Sequence, residues 1–220
     1  MSLKNKFKLS SIALASAMAM GAMTMPTVAS AEVSSSATVS SMYLWRGQDV
    51  SGAPTLSGDI AYSHESGAYA FAWMSSESAY NTEVDVGLGY AGEAGPVAYD
   101  ISYYKFWYPQ KNATTEGEKF ADAGAEVVVG LTFEPVTFKA YLDAKDEDDG
   151  SYYTLSTSIG KVGLLYGLSD SKTAGSDYSH FDISYAASDK LSFTLSNASG
   201  DGLAKEAKDP LFMMSYSLPI

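Results

Sequence analysis

The sequence predicts an all-β fold, a transmembrane up-and-down antiparallel β-barrel of about twelve strands. Three observations predict it. First, segment after segment alternates apolar with polar or small residues. In the clearest of them Val84, Val86, Leu88 and Tyr90 interleave with Glu83, Asp85, Gly87 and Gly89, the period of a strand with two unlike faces. Second, the connections alternate between tight turns and longer polar loops. Third, the chain ends on a strand, with Phe212, Met214, Tyr216, Leu218 and Ile220 on one face. A terminal strand with no tail needs a partner, and pairing with the first strand would remove the last open edge. An edge strand of a soluble sandwich is the alternative reading of that stretch alone.

At the N-terminus, Lys4, Lys6 and Lys8 precede an apolar run from Ile12 to Met20, and Ala29-Ser30-Ala31 follows. A basic start, an apolar centre and a small-x-small end form the pattern of a secretory signal peptide cut after Ala31. Residues 1–31 are therefore expected to be a cleaved leader from a bacterial export route, and residues 32–220 the barrel domain. The leader is too short and too interrupted by serine to be a spanning helix.

The first strand is expected over Ala37 to Trp45, after a loose polar start at Glu32 to Ser36, and a glycine-bearing loop from Arg46 follows it. Strands then read over Pro54 to Ser63, Ala68 to Ser75, Glu83 to Tyr90 and Val97 to Tyr104, the last running into aromatic residues as far as Tyr108. Phe120 to Phe133, Val136 to Asp143, Tyr153 to Ile159 and Val162 to Ser169 follow. His180 to Tyr185, Leu191 to Ser196 and the terminal strand complete the set. Tight turns fall at His64, Gly92, Glu134, Gly160 and Ser188, and the intervening connections are longer. Short turns on one rim and long loops on the other is the outer-membrane pattern, and an even strand count leaves both termini on the short-turn, periplasmic side. Weak alternation in the first strand leaves ten or fourteen strands open.

Composition fits a chain that spans lipid as strands. The formal net charge is −12 and Arg46 is the only arginine. Without a basic surface to neutralise phosphates, nucleic acid is excluded as a partner. There are no cysteines, so an exported chain of this size must be held by a core or by a hydrogen-bonded barrel. Aromatics make up 13% of the residues, 16 of them tyrosine, a residue favoured at membrane interfaces. The apolar set is expected to face lipid. The opposite set, mostly Ser, Thr, Gly, Ala, Asp and Glu, is expected to face a wet interior.

Several short stretches also resemble a known family. Tyr43-Leu44-Trp45-Arg46-Gly47, Phe71-Ala72-Trp73-Met74-Ser75-Ser76, Thr82 to Tyr90, and Tyr104 with Phe106-Trp107-Tyr108-Pro109 occur in the order found in the TorF-family porins of bacterial outer membranes. The resemblance implies a porin-like barrel and supplies no substrate and no catalytic residue.

The carboxylates of inward parity are Asp59, Glu83, Asp85, Asp100, Asp122, Glu126, Asp143 and Asp182, with Lys139 the main cation among them. As pore-lining groups they would give the lumen a negative field that favours cations. The other reading is a plugged lumen in which the charges are paired. Arg46, at the pore mouth, could pair with lumen carboxylates, touch a solute or anchor its loop. The aromatic block from Tyr103 to Tyr108 reads as an interfacial girdle or as a stacking track for a sugar. Asp146 to Gly150 is a solvated acidic loop whose spacing does not fit a calcium loop. It could meet lipopolysaccharide phosphates through a shared divalent cation. His64 and His180 fall toward opposite ends of the barrel, and no motif supports a hydrolase site at His180. Asn112-Ala113-Thr114 and Asn197-Ala198-Ser199 match the glycan acceptor pattern by chance. The expectation is an outer-membrane channel for passive diffusion of small hydrophilic solutes, in contact with lipid and lipopolysaccharide. It has no cofactor, no metal and no catalytic residue. A non-conducting structural or surface-interaction barrel is the alternative.

Overall fold

In the computed structural model, which describes residues 31–77, 81–109, 121–144 and 150–220, twelve antiparallel strands close into one barrel. Residues 1–30 of the expected leader (1–31), most of the Pro109 to Lys119 loop with its Asn112 motif, Asp146 to Asp149 and the side chain of Asp122 lie outside the described residues. Strand β1 spans Glu32–Ser40. Two short strands, β2 (Leu44–Trp45) and β3 (Gln48–Asp49), follow and pair only with each other. The wall then continues through β4 (Thr55–Ser63), β5 (Ala68–Glu77), β6 (Asn81–Ala94), β7 (Val97–Tyr108) and β8 (Ala121–Phe133). It is completed by β9 (Val136–Asp143), β10 (Ser151–Ile159), β11 (Val162–Asp170), β12 (Tyr178–Ala186), β13 (Leu191–Gly200) and β14 (Leu211–Pro219).

Each wall strand pairs with its sequence neighbours, and β1 pairs with both β4 and β14, as in Ser40 with Thr55 and Ser215. The terminal strand therefore closes the barrel, and every wall strand is paired on both sides, so no strand is left as an open edge. Tight turns join β4 to β5, β6 to β7, β8 to β9, β10 to β11 and β12 to β13 on one rim.

The start of the chain differs from expectation. Glu32 to Ser36 is not loose but forms the first half of β1, with Glu32 opposite Ser63 and Ser36 opposite Asp59. Hydropathy carries little signal there, because closure needs main-chain pairing and not side-chain greasiness. Leu44 and Trp45, expected to end the first strand, belong instead to the separate hairpin.

Outward residues form an apolar belt. Ile60, Leu88, Ile101, Leu131, Leu155, Ile183, Leu195 and Phe212 are all exposed, Leu88 at 63%. A continuous exposed belt of this kind is foreign to a water-facing wall. One strand departs from the rule that the larger apolar set faces out. In β5 the register places Ser75 opposite Ser57, Trp73 opposite Asp59 and Phe71 opposite Ala61, so Tyr69, Phe71, Trp73 and Ser75 point inward and Ala68, Ala70 and Ala72 outward. Both faces of β5 are apolar, so hydropathy could not choose between them. Space decides. The neighbouring inward residues on β6 are Gly87 and Gly89, and a Cβ at either would collide with the Phe71 or Tyr69 ring.

Candidate functional site: a lumen with two unlike walls

The inner face of the barrel divides in two. From β13 through β14 and β1 to β4 it is mostly hydroxyls, interrupted by Met213 on β14 and by Asp59 and Ala61 on β4. Two rows cross these strands in register. One is Ser192, Ser215, Ser40 and Thr55; the other is Ser217, Thr38 and Ser57, reaching Ser75 on β5. Neighbouring hydroxyls bond to one another, Thr38 Oγ1 to Ser217 Oγ at 2.9 Å and Ser40 Oγ to Ser215 Oγ at 2.8 Å. Such short side chains cannot reach across the lumen, so they leave a cleft between this wall and the base of the hairpin. The cleft encloses about 480 Å³ including open solvent, bounded on its far side by Tyr43, Leu44 and Trp73, with Lys190 also lining it. Its clear width admits little more than water.

The opposite wall, β6 to β12, is filled. Tyr104, Val128, Tyr141 and Tyr152 form a buried cluster with Phe71 and Phe106 against it. The rings lie over inward glycines of adjacent strands, Phe106 over Gly124, Phe71 over Gly87 and Tyr69 over Gly89. A large ring beside a glycine fills the interior and shields the glycine backbone.

Several polar groups inside this packing are matched to one another, which offsets the cost of their burial. Tyr69 donates to Asp100 Oδ2 at 2.7 Å, and Lys139 faces the same carboxylate across Gly130 and interacts with its charge. Tyr108 donates to Glu83 Oε2 at 3.0 Å. His180 is 3% exposed, between Tyr152 (hydroxyl to Nε2, 2.6 Å) and Asp182 (Nδ1 to Oδ1, 2.9 Å). Ser196 donates to the same Asp182 oxygen at 2.6 Å. A carboxylate only accepts, so Nδ1 carries a proton, and Nε2 shares its hydrogen bond with the tyrosine hydroxyl. Gly47 covers the imidazole so closely that a Cβ there would overlap it. This Tyr–His–Asp–Ser chain is sealed beneath the hairpin and clamps β10, β12 and β13 together.

The hairpin ties the two walls. Arg46 and Gly47 both have positive φ, 49° and 79°, the combination that makes a two-residue turn follow the strand twist. The turn carries Arg46 into the filled wall. Its Nη2 donates to Glu126 Oε1 at 2.5 Å, and Tyr104 donates to the other oxygen of the same carboxylate. The guanidinium carbon lies 4.5 Å from the ring centroids of Trp45 and Tyr152 and 5.4 Å from that of Tyr141. Arg46 is on the hairpin and not on a wall strand. Burial works against its charge, but Glu126 more than offsets this, and its pKa is raised above the ordinary value.

The expected pore-lining residues Asp59, Glu83, Asp85, Asp100, Glu126, Lys139, Asp143 and Asp182 all occupy inward register positions. The structure does not bring them to one water-filled surface. Glu83 and Asp85 are each only 2% exposed, and Asp100, Glu126 and Asp182 are held as described above. Asp59 alone among them lies on the hydroxyl side, accepting from Ser36 of β1. The aromatic block is split by the pleat. Tyr104 and Phe106 face inward, whereas Tyr103 and Trp107 face outward with Lys105, whose ammonium lies 5.7 Å from the Trp107 centroid. The residues not singled out from the sequence are Tyr141 and Tyr152, which form the box around Arg46. Tyr141 has the inward parity of Lys139 and Asp143, and that was the available signal.

The architecture is thus a closed twelve-stranded antiparallel barrel with a partly filled lumen. The chain belongs to the family described as "Bacterial protein of unknown function (Gcw_chp)", whose model matches residues 25–197. No curated protein matches the sequence. Among solved structures, the chain is similar to the KdgM porin, at 7% identity and a TM-score of 0.47 over 84% of this chain and 97% of that one. It is similar to the NanC porin at 10% identity and a TM-score of 0.42, over 86% and 98%. OccK5 (OpdH) of Pseudomonas aeruginosa gives 12% identity and a TM-score of 0.38, over 88% and 68%.

Proposed function

We propose that this protein is a porin-like channel of the bacterial outer membrane for passive diffusion of small hydrophilic solutes, with a mild preference for cations. The observation that carries the reading is the hydroxyl-lined cleft inside a closed barrel whose outer face is apolar. Hydroxyls replace part of a solute's hydration at little cost and hold it weakly, as passage requires. The outward belt suits hydrocarbon and lipopolysaccharide acyl chains, where a closed ladder is the arrangement that satisfies strand backbone. The stretches similar to TorF-family porins support the same reading, with residues 1–31 as the export leader.

Cation preference is supported by Asp59 beside the cleft and by inward carboxylates that outnumber Arg46 and Lys139. Lys190 opposes it, which keeps the preference mild. Purified protein in a planar bilayer tests the proposal. Stepwise current with a cation-side reversal potential is expected, and Asp59→Asn moves that potential toward zero. The second reading, a non-conducting barrel, is favoured by the narrowness of the cleft beside the hairpin. A persistently silent bilayer would establish it.

A further inference from the structure

Apart from Trp45, which the hairpin itself brings to one face of the guanidinium, the box around Arg46 is built by the barrel. Glu126 is on β8, Tyr104 on β7, Tyr141 on β9 and Tyr152 on β10. Glu126, Tyr104 and Tyr152 are each held by hydrogen bonds to barrel residues. The Tyr104 hydroxyl fixes one oxygen of Glu126 and leaves the other free for a ligand. Tyr152 is fixed by His180, itself fixed by Asp182. The result is a preorganised carboxylate with aromatic faces around the position above it, an arrangement that recognises a planar, weakly hydrated cation. The guanidinium that occupies it arrives on a two-strand sheet separate from the barrel.

We propose that Glu126, Tyr104, Tyr141 and Tyr152 form a recognition site for a guanidinium-bearing solute, and that Arg46 occupies it as an intramolecular stand-in. A solute of that class competes with Arg46 and releases the hairpin tip, which widens the lumen on the filled side. Binding rests on the cage geometry alone. The widening rests also on the channel reading.

The test uses full-length mature protein in detergent, with methylguanidinium chloride as the probe and sodium chloride at matched ionic strength as the control. In Arg46→Ala the cage is vacant, so saturable binding by calorimetry and a raised unfolding midpoint are expected. Affinity should be roughly tenfold or more above that of Arg46→Ala/Glu126→Gln, given the worth of a charge-assisted hydrogen bond. Wild type, with its cage filled, should bind more weakly than Arg46→Ala. Equal binding with and without the Glu126 carboxylate, or no saturable binding, overturns the proposal. If Arg46→Ala does not refold, Arg46→Gln takes its place with the same expectations. In bilayers, methylguanidinium should raise wild-type conductance and leave that of Arg46→Ala unchanged. Binding with silent bilayers sinks the channel reading and keeps the cage; conduction without binding sinks the cage alone.

Discussion

The hydroxyl wall and the filled wall are made of the same kind of strand, with the same pleat and the same apolar outer belt, yet they do opposite things to the lumen. On β13, β14, β1 and β4 most inward positions are Ser or Thr, with Met213, Asp59 and Ala61 among the exceptions, so the bonds run mainly sideways to the next strand and the space in front stays open. On β6 to β12 inward glycines alternate with rings and carboxylates, so each side chain leans over a neighbouring strand and the space closes. Mostly small side chains leave a path, whereas a mixture of very large and absent ones packs like a soluble core. The filled wall also has the longest strands, with 14, 12 and 13 residues in β6, β7 and β8, and it is the wall that receives the hairpin.

The comparison can be broken most directly by filling the open side. Ser215→Trp places an indole in the cleft and is expected to cut single-channel conductance by about tenfold or more; an unchanged current would put the path elsewhere. Removing the tie between the walls comes next. Glu126→Gln leaves the Arg46 guanidinium buried without its counter-charge, and the unfolding midpoint should report a loss of about 3 kcal/mol. Adding Arg46→Leu should recover part of that loss. The same insertion on the two walls sharpens the contrast. Gly87→Val drives a side chain into the Phe71 ring and the Tyr104 Cβ and should cost about 2 kcal/mol, while Ser57→Val should cost under about 1 kcal/mol. Similar losses at both positions would mean that the walls are packed alike. The smallest effect is electrostatic. Asp59→Asn should shift the reversal potential by a few millivolts, since water and salt screen a single lumen charge.

Much of the wall is legible in the alternation. The inward parity of Glu83, Asp85, Asp100, Glu126 and Asp182 follows from the greasy residues beside them, because a pleated strand sends neighbours to opposite faces. Closure is legible in the terminal strand. The facing of β5 is not, since Tyr69-Phe71-Trp73 and Ala68-Ala70-Ala72 are both apolar and only the glycines of a neighbouring strand choose between them. The hairpin is half legible. Trp45-Arg46-Gly47-Gln48 has the glycine of a tight turn, but nothing local says that the turn folds inward.

What the sequence by itself determined is the period, the rim on which each connection lies and which residues share a face, because these depend on near neighbours along the chain. What only the tertiary structure decided is how that face is used: open along the hydroxyl rows, filled and internally paired around Glu126 and His180, with Arg46 reaching from one to the other. That decision belongs to residues 80 and more positions apart, such as Arg46 and Glu126, which meet only once closure of the barrel sets the register of every strand between them.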